Sequence, residues 1–202
     1  FNASESKWQK VWEDNRLYEA KIVKGKPKYS VVIPPPNITG ILHMGHMLNN
    51  TIQDIFCRLK RMQGYEVCWV PGIDHAGIST QHVLERELKS QGKTKHDIGR
   101  EAFVAMGWEW KEKYGGIILK QLRKLGVSVD WSKERFTLDE GLNKAVREVF
   151  VDLYKKGLIY RGKRIVNWDP KAMTAVSDDE IEYKEKRDKL YFIKYKVAGT
   201  DK

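Results

Sequence analysis

The stretch Pro34-Pro35-Pro36-Asn37-Ile38-Thr39-Gly40-Ile41-Leu42-His43-Met44-Gly45-His46 decides the fold, because it leads from a strand into a helix. Before it, residues 29–33 form an apolar, β-branched run, and the prolines that follow cannot continue a sheet ladder. After it, apolar residues recur at steps of three and four, as in an amphipathic helix that ends at Gly64. These residues are Leu48, Ile52, Ile55, Leu59 and Met62.

A second strand follows this helix. Residues 67–70 are continuously apolar and are closed by Pro71-Gly72, which is typical of a parallel strand covered on both faces. Strand, helix and strand form a βαβ unit, so the loops 34–40 and 71–77 are expected at the same carboxyl edge of the sheet, where doubly wound folds bind ligands. The sequence therefore predicts an α/β chain with a parallel sheet and a ligand site at this edge.

His43 and His46 lie at the start of the first helix and are predicted to share one of its faces. Free N–H groups and the helix dipole make such a position suitable for an anion. An HxxH pair is also compatible with a metal site or with two histidines of the core, and spacing alone favours the core. No further Cys or His stands at ligand spacing, so no metal site is predicted. The convergence of two loops favours the anion site.

Asp74 is the only acidic residue in either loop. It is interpreted as a partner for a cationic ligand, or else as a turn residue that caps the next helix. The two interpretations remain open at this point.

Residues 34–46 resemble the HIGH motif of class I aminoacyl-tRNA synthetases, with Met44 where isoleucine is commoner. Residues 69–81 (Trp-Val-Pro-Gly-Ile-Asp-His-Ala-Gly-Ile-Ser-Thr-Gln) are similar to the second loop of the valyl-tRNA synthetase family, and so are blocks between Trp108 and Thr137. The resemblance covers residues 8–183, and the Pro-Pro-Pro-Asn run followed by Thr39-Gly40 favours valine over the isoleucine and leucine relatives.

The resemblance implies ATP-dependent activation of valine to valyl-adenylate and its transfer to tRNA(Val), with Mg²⁺ accompanying ATP. His43 and His46 would be catalytic. ATP binding would fall on Asn37, Thr39, Gly40, His43, Gly45 and His46. Valine binding would fall on Pro35, Pro36, Asn37 and Asp74, with Asp74 pairing with the ammonium group.

The resemblance also implies a domain organisation. Residues 1–27 would form an N-terminal helical segment, and residues 28–160 the first half of the catalytic Rossmann-like domain. Residues 161–202 would be a connective region and the start of a β-rich editing insertion, which opens with a strand at 189–197. The KMSKS half, most of the editing domain and the anticodon-binding domain are not in the sequence, so the chain is expected to be a fragment.

Local patterns predict the remaining elements. Helices are expected at 79–90, from 100 to 125 with an interruption at Gly115-Gly116, and at 139–156 with Asp139 as N-cap. Residues 94–100 are expected to be a polar connection and residues 127–137 to be extended. Further strands are expected at 158–160 and 164–168.

Composition is compatible with an RNA partner. The chain has 37 Lys and Arg against 27 Asp and Glu, a formal net charge of +10, so a polyanionic partner is plausible. The basic run from Lys155 to Arg164 is either a solvated face or an RNA contact. Two other functions stay open: an isoleucyl-type synthetase, and a non-catalytic RNA-binding module derived from a synthetase.

Cys57 and Cys68 suggest no disulfide framework, and neither a membrane span nor a signal-peptide core is evident. A cytoplasmic, monomeric protein without a membrane partner is expected.

Overall fold

The structure is a computed structural model that describes residues 2–200. The helices are α1 (Asn2–Asp14), α2 (Met44–Met62), α3 (Gly77–Ser90), α4 (Lys95–Lys124) and α5 (Glu140–Lys155). The strands are β1 (Lys28–Val32), β2 (Glu66–Val70), β3 (Gly72–Ile73), β4 (Arg135–Phe136), β5 (Asn167–Asp169) and β6 (Thr174–Val176). Short 3-10 turns lie at Trp131–Lys133 and Asp178–Glu180. The chain forms two compact units, one up to Lys155 and one from Lys156.

The predicted βαβ unit is confirmed. Strands β1 and β2 pair in parallel, with Lys28 opposite Glu66 and Val32 opposite Val70, and helix α2 connects them. The N–H of Asp130 donates to the carbonyl oxygen of Trp69 (2.8 Å), so the segment before the 3-10 turn lies on the other side of β2. Strand β3 pairs in parallel with β4.

Helix α4 is the long helix of the first unit, and its course differs from the prediction. It runs through Gly115 and Gly116 without interruption. A Cβ on Gly115 would lie 2.7 Å from Cδ1 of Ile73, so this glycine serves close packing on β3 and does not break the helix. The expected connection at 94–100 contains a helical turn capped by Thr94, and the non-helical Gly99 (φ of 78°) separates this turn from the predicted helix that follows.

Helix α1 lies within the predicted N-terminal helical segment 1–27 but ends at Asp14. The side-chain amide of Gln9 donates to the carbonyl of Arg123 at the end of α4, and Arg123 also pairs with Glu13 (3.3 Å). The core of the unit contains Ile33, Cys57, Trp69, Ile118, Leu122 and Val129.

Coverage of the sheet and of α2 differs from the prediction. Burial alternates along β2 instead of being continuous, and Val32 on β1 is 73% exposed. The apolar stripe of α2 is also exposed, with Leu48 at 64% and Met62 at 87%. Helix α2 packs through buried Cys57 and through polar side chains: Asp54 Oδ1 accepts from the Ser128 N–H (2.9 Å), and Arg61 donates to the Ser128 carbonyl (2.7 Å). Charge-assisted hydrogen bonds therefore contribute to the packed side of the helix.

The second unit contains a short antiparallel hairpin, in which Asn167 of β5 pairs with Val176 of β6. The strand predicted at 164–168 is therefore found at β5 (Asn167–Asp169) of this hairpin. The strands predicted at 158–160 and 189–197 are not formed, and residues such as Tyr191 and Ile193 are exposed. Alternating apolar residues form a strand only where another strand satisfies their backbone groups. The assignment of residues 161–202 to an editing insertion stays a prediction, as do the other domain boundaries.

The predicted N-cap at Asp139 is confirmed, because Oδ1 of Asp139 accepts from the N–H of Leu142 (2.8 Å). The predicted extended segment at 127–137 is correct at β4 but is interrupted by the turn at Trp131–Lys133. Among the helices of residues 2–200, none combines the length and apolarity needed to cross a bilayer.

Candidate active site

The two loops predicted to converge are joined through their backbones. The N–H of Ile38 donates to the carbonyl oxygen of Asp74 (3.0 Å), and the N–H of Asp74 donates to that of Pro36 (2.8 Å). These bonds form an isolated parallel bridge between Asn37 and Asp74. The first loop therefore lies directly beside the one acidic residue of the second loop.

Helix α4 holds the first loop in place. The indole N–H of Trp110 donates to the carbonyl of Ile38 (2.6 Å), and the side-chain oxygen of Gln121 accepts from the N–H of Leu42 (2.9 Å). In the sequence, Trp110 and Gln121 stand out only as parts of the blocks of family resemblance, without a predicted role. Their spacing of three helical turns was the available signal, since it places both side chains on one side of α4.

His43 and His46 are close together, but not as two residues within a helix. His43 is the N-cap of α2, with φ of −124° and ψ of 176°. Its Nδ1 accepts from the N–H of Gly45 (3.1 Å), while Nδ1 of His46 accepts from the N–H of His43 (3.2 Å). The ring centroids are 4.0 Å apart. The pair forms a capping box made of two imidazoles.

This capping box fixes the chemistry of both rings. An Nδ1 atom that accepts a hydrogen bond carries no proton, so each neutral ring carries its proton on Nε2 and can donate from there. Burial lowers the pKa of His46 below its ordinary value, and the neighbouring His43 lowers the pKa further. The first loop and helix start therefore present Nε2–H donors and no carboxylate.

The other predicted residues of the first loop occupy different environments. Pro36 is buried, Pro35 and Thr39 are half-buried, and Asn37 is exposed. Gly45 packs against the cap, since a Cβ there would lie 3.0 Å from Cε1 of His43, whereas a Cβ on Gly40 would meet nothing within 4 Å. A shallow cavity of about 520 Å³ adjoins this region and is lined by Glu5, Leu42, His43, Met44, Met47, Gln121, Lys124 and Leu125.

Asp74 is partly exposed, with 33% of its side chain accessible. Its Oδ1 accepts from the N–H of Ala76 (3.1 Å) and from the hydroxyl of Thr137 (2.9 Å), and lies 3.4 Å from Nδ1 of His75. The bond to Ala76 is a local turn bond. Ala76 is the N-cap of α3, and its own side chain makes no capping bond. Because Asp74 accepts from the N–H of this residue, its role as a turn residue at the helix start and its role as a partner for a cationic ligand both stay predictions.

Thr137 is a site residue that sequence reasoning missed. It follows β4, and its hydroxyl contacts both Asp74 and His75. In the sequence, Thr137 stands out only as the end of a block of family resemblance. Its position one residue beyond a short strand parallel to β3 was the signal, because parallel strands bring their carboxyl ends to one edge.

The comparison with known families identifies the fold and the motif together. The family model described as tRNA synthetases class I (I, L, M and V) matches residues 7–197. The chain belongs to this family. The predicted Rossmann-like α/β fold and the class I resemblance are thereby confirmed.

Individual class I synthetases are similar to the chain over nearly all of its length. A valine–tRNA ligase of Geobacter sulfurreducens is 57% identical over 197 residues, which is 98% of the chain and 22% of that protein. A valine–tRNA ligase of Fusobacterium nucleatum is 58% identical over 200 residues, or 99% of the chain and 22% of that protein. The chain thus spans about a fifth of the length of these relatives.

A solved class I synthetase shares the fold. It is the crystal structure of a ternary complex of Agrobacterium radiobacter K84 LeuRS with tRNA and LeuAMS, with a TM-score of 0.71 and 24% identity. It covers 87% of this chain, which corresponds to 21% of the LeuRS chain.

Two further expectations concern this class I chain. Within residues 2–200, no group of three or more His, Cys, Asp or Glu side chains is arranged to hold a metal ion. In the basic run, Arg161, Lys163 and Arg164 are exposed, which is compatible with a solvated face and with an RNA contact.

Proposed function

We propose that the full-length protein is a valine–tRNA ligase, and that this chain supplies the part of its activation site formed by the first two loops. The observation that carries the proposal is the backbone bridge between Asn37 and Asp74, which sets the loop that leads into the start of α2 beside a carboxylate. A site for an amino acid and a nucleotide needs both. The names of the 57% and 58% identical relatives support valine as the amino acid.

The first loop would act on ATP. The valine carboxylate would attack the α-phosphate and pyrophosphate would leave, a reaction that depends on positioning and on charge stabilisation. His43 and His46 would donate from Nε2 to phosphate oxygens as negative charge shifts to the leaving group. Asn37, Thr39 and Gly40 would shape the phosphate end, and Gly45 would admit the adenosine part. Mg²⁺ would be held mainly by phosphate oxygens and water, which fits the lack of a carboxylate in this loop.

The second loop would bind valine. Asp74 would pair with the ammonium group, and its Oδ2 is the atom for this pairing because the contacts described above converge on Oδ1. Pro35, Pro36 and Asn37 would form the wall against the branched side chain. Such a wall excludes larger side chains by steric contact.

The proposal includes the whole protein. The basic chain would face tRNA(Val), to which the activated valine is transferred. The protein would be a monomer in the cytoplasm.

Amino-acid-dependent pyrophosphate exchange by the full-length protein tests the proposal. With valine, isoleucine, leucine and methionine compared at equal concentration, valine should exchange at least about tenfold faster than the others. Faster exchange with isoleucine would indicate an isoleucyl-type enzyme. RNA binding without exchange for any amino acid would indicate a non-catalytic module. Either result would contradict the proposal.

A further inference from the structure

The hydroxyl of Thr137, the residue after β4, contacts the second loop. Strand β4 pairs in parallel with β3, Gly72 opposite Arg135 and Ile73 opposite Phe136. The ladder continues with the N–H of Thr137, which donates to the carbonyl of Ile73 (3.2 Å). The strands approach closely, since a Cβ on Gly72 would lie 2.7 Å from the carbonyl oxygen of Arg135. Backbone pairing on both strands therefore fixes Thr137 relative to the second loop.

Three polar contacts converge on this hydroxyl. Oγ1 of Thr137 lies 2.9 Å from Oδ1 of Asp74, 2.8 Å from the backbone N of His75 and 2.6 Å from Nδ1 of His75. A threonine hydroxyl has one proton to donate and two lone pairs to accept with. Its hydrogen-bonding capacity therefore equals the number of its contacts.

The proton assignment follows from the chemistry of the partners. An ionised carboxylate only accepts, so the Thr137 proton must point to Asp74. The backbone N–H of His75 only donates, and it occupies one lone pair of Oγ1. The remaining contact must then be a donation from Nδ1 of His75 to the second lone pair. Neutral His75 thus carries its proton on Nδ1, and its Nε2 is a hydrogen-bond acceptor.

The histidines of the two loops carry their protons on opposite ring nitrogens. In the first loop, backbone N–H groups donate to Nδ1 of His43 and His46, so both rings donate from Nε2. In the second loop, a side-chain hydroxyl accepts from Nδ1 of His75, so this ring accepts at Nε2. Donors suit an anionic ligand, whereas acceptors suit a cationic one.

We propose that Thr137 is a positioning residue that holds His75 in the Nδ1–H tautomer and occupies Oδ1 of Asp74, so that the second loop offers acceptors to a primary ammonium group. Identification of that group as the ammonium of valine rests on the proposed function. The tautomer of His75 does not rest on it.

The first test needs no variant. Nitrogen-15 NMR of histidine-labelled 202-residue chain, at about pH 8 where an ordinary imidazole is neutral, reports the tautomer of each ring. A His75→Gln variant assigns the resonances of His75. His75 should be the Nδ1–H tautomer, and His43 and His46 the Nε2–H tautomer. An Nε2–H tautomer at His75 would overturn the proposal.

The second test compares Thr137→Val with Thr137→Ser in the full-length protein by pyrophosphate exchange. The Thr137→Val substitution removes the hydroxyl at nearly constant volume. The KM for the amino acid should then rise about tenfold, because a hydrogen bond to a charged group is lost. The KM for ATP should change by less than about twofold. Serine keeps the hydroxyl and should restore most of the affinity for the amino acid. In the Thr137→Val chain, the His75 resonances should also lose their Nδ1–H character.

The outcomes separate the two proposals. Equal losses in the valine and serine variants, or parallel rises in both KM values, would show that Thr137 has only a packing role. If Thr137→Val does not fold, the wild-type tautomer and the serine variant still decide. Absence of valine-dependent exchange in the wild-type protein would overturn the valine–tRNA ligase proposal and the ammonium assignment, while the NMR result would still establish or refute the tautomer.

Discussion

The hydrogen bonds of Oδ1 determine the expected effect of a substitution at Asp74. Oδ1 is held by Ala76 and Thr137, and an asparagine oxygen can keep both of these bonds. Asp74→Asn should therefore preserve the turn while removing the charge that pairs with an ammonium group. We expect the affinity of the full-length protein for valine to fall by about 2 kcal/mol, reduced from the value for a buried pair because Asp74 is partly exposed.

Calorimetric titration of valine, and separately of ATP, measures this change. ATP affinity should stay within about twofold of wild type, since the first loop carries the phosphate donors. Unchanged valine affinity would exclude Asp74 as the ammonium partner.

The imidazoles of His43 and His46 have two roles that a substitution can separate. His43→Ala removes both the cap and the Nε2–H donor, and should slow adenylate formation by about 3 kcal/mol, or more than about a hundredfold. His43→Asn keeps an N-cap acceptor but lacks the imidazole donor. If the donor matters, asparagine should restore stability in urea without restoring pyrophosphate exchange. Exchange restored together with stability would limit His43 to a capping role.

At the scale of the helix, the capping box predicts a pH dependence of stability. The pKa of His46 is lowered in the folded protein, so the unfolded chain binds more protons as the pH falls below about 6.5. The contribution of neutral His46 is complete above that value and is lost as the pH falls towards the folded-state pKa. Urea midpoints should therefore fall between about pH 7.5 and pH 5.

Two matched variants of the 202-residue chain isolate this effect. His46→Gln removes the titrating group but keeps a side chain suited to this position of a capping box, so the fall in midpoint should become smaller. His82→Gln makes the same change at an exposed position in α3 and should leave the fall unchanged. Equal pH dependence in wild type and His46→Gln would contradict the prediction.

Sequence patterns predicted those elements whose determinants are local. The prolines after β1, the periodicity of α2 and the N-cap at Asp139 depend on neighbouring residues, and the structure has all three. The interior course of α4 was missed because Gly115 is required by Ile73, which is distant in the chain. The side on which α2 packs was also missed, since Ser128, which is hydrogen-bonded to Asp54 and Arg61, is distant in the chain.

The same distinction holds for the candidate site. His43, His46 and Asp74 stand out from spacing and charge within single loops. Thr137 lies 63 residues from Asp74, and Trp110 lies 72 residues from Ile38. Such partners become visible only once the parallel strands and the course of α4 are known.

At the scale of the whole molecule, the first unit exposes more apolar surface than its site requires. The stripe on α2 and Val32 on β1 are open to solvent in the described chain. Soluble monomers rarely expose large contiguous apolar surfaces, so we expect this face to be covered in a longer protein. The relatives, of which the chain spans 22%, are long enough to provide them.

The 202-residue chain alone should lack part of the activity proposed for the full-length protein. Activation of valine needs charge stabilisation around the whole triphosphate, and the phosphate donors proposed for this chain come from the first loop and the start of α2 alone. We therefore expect that the chain alone does not charge tRNA(Val), although ATP binds weakly at the first loop. Filter assays with labelled valine measure charging, with the full-length protein and the same tRNA as the positive control. Robust valylation by the 202-residue chain would show that its two loops suffice for the chemistry and that the exposed stripe of α2 has no catalytic partner.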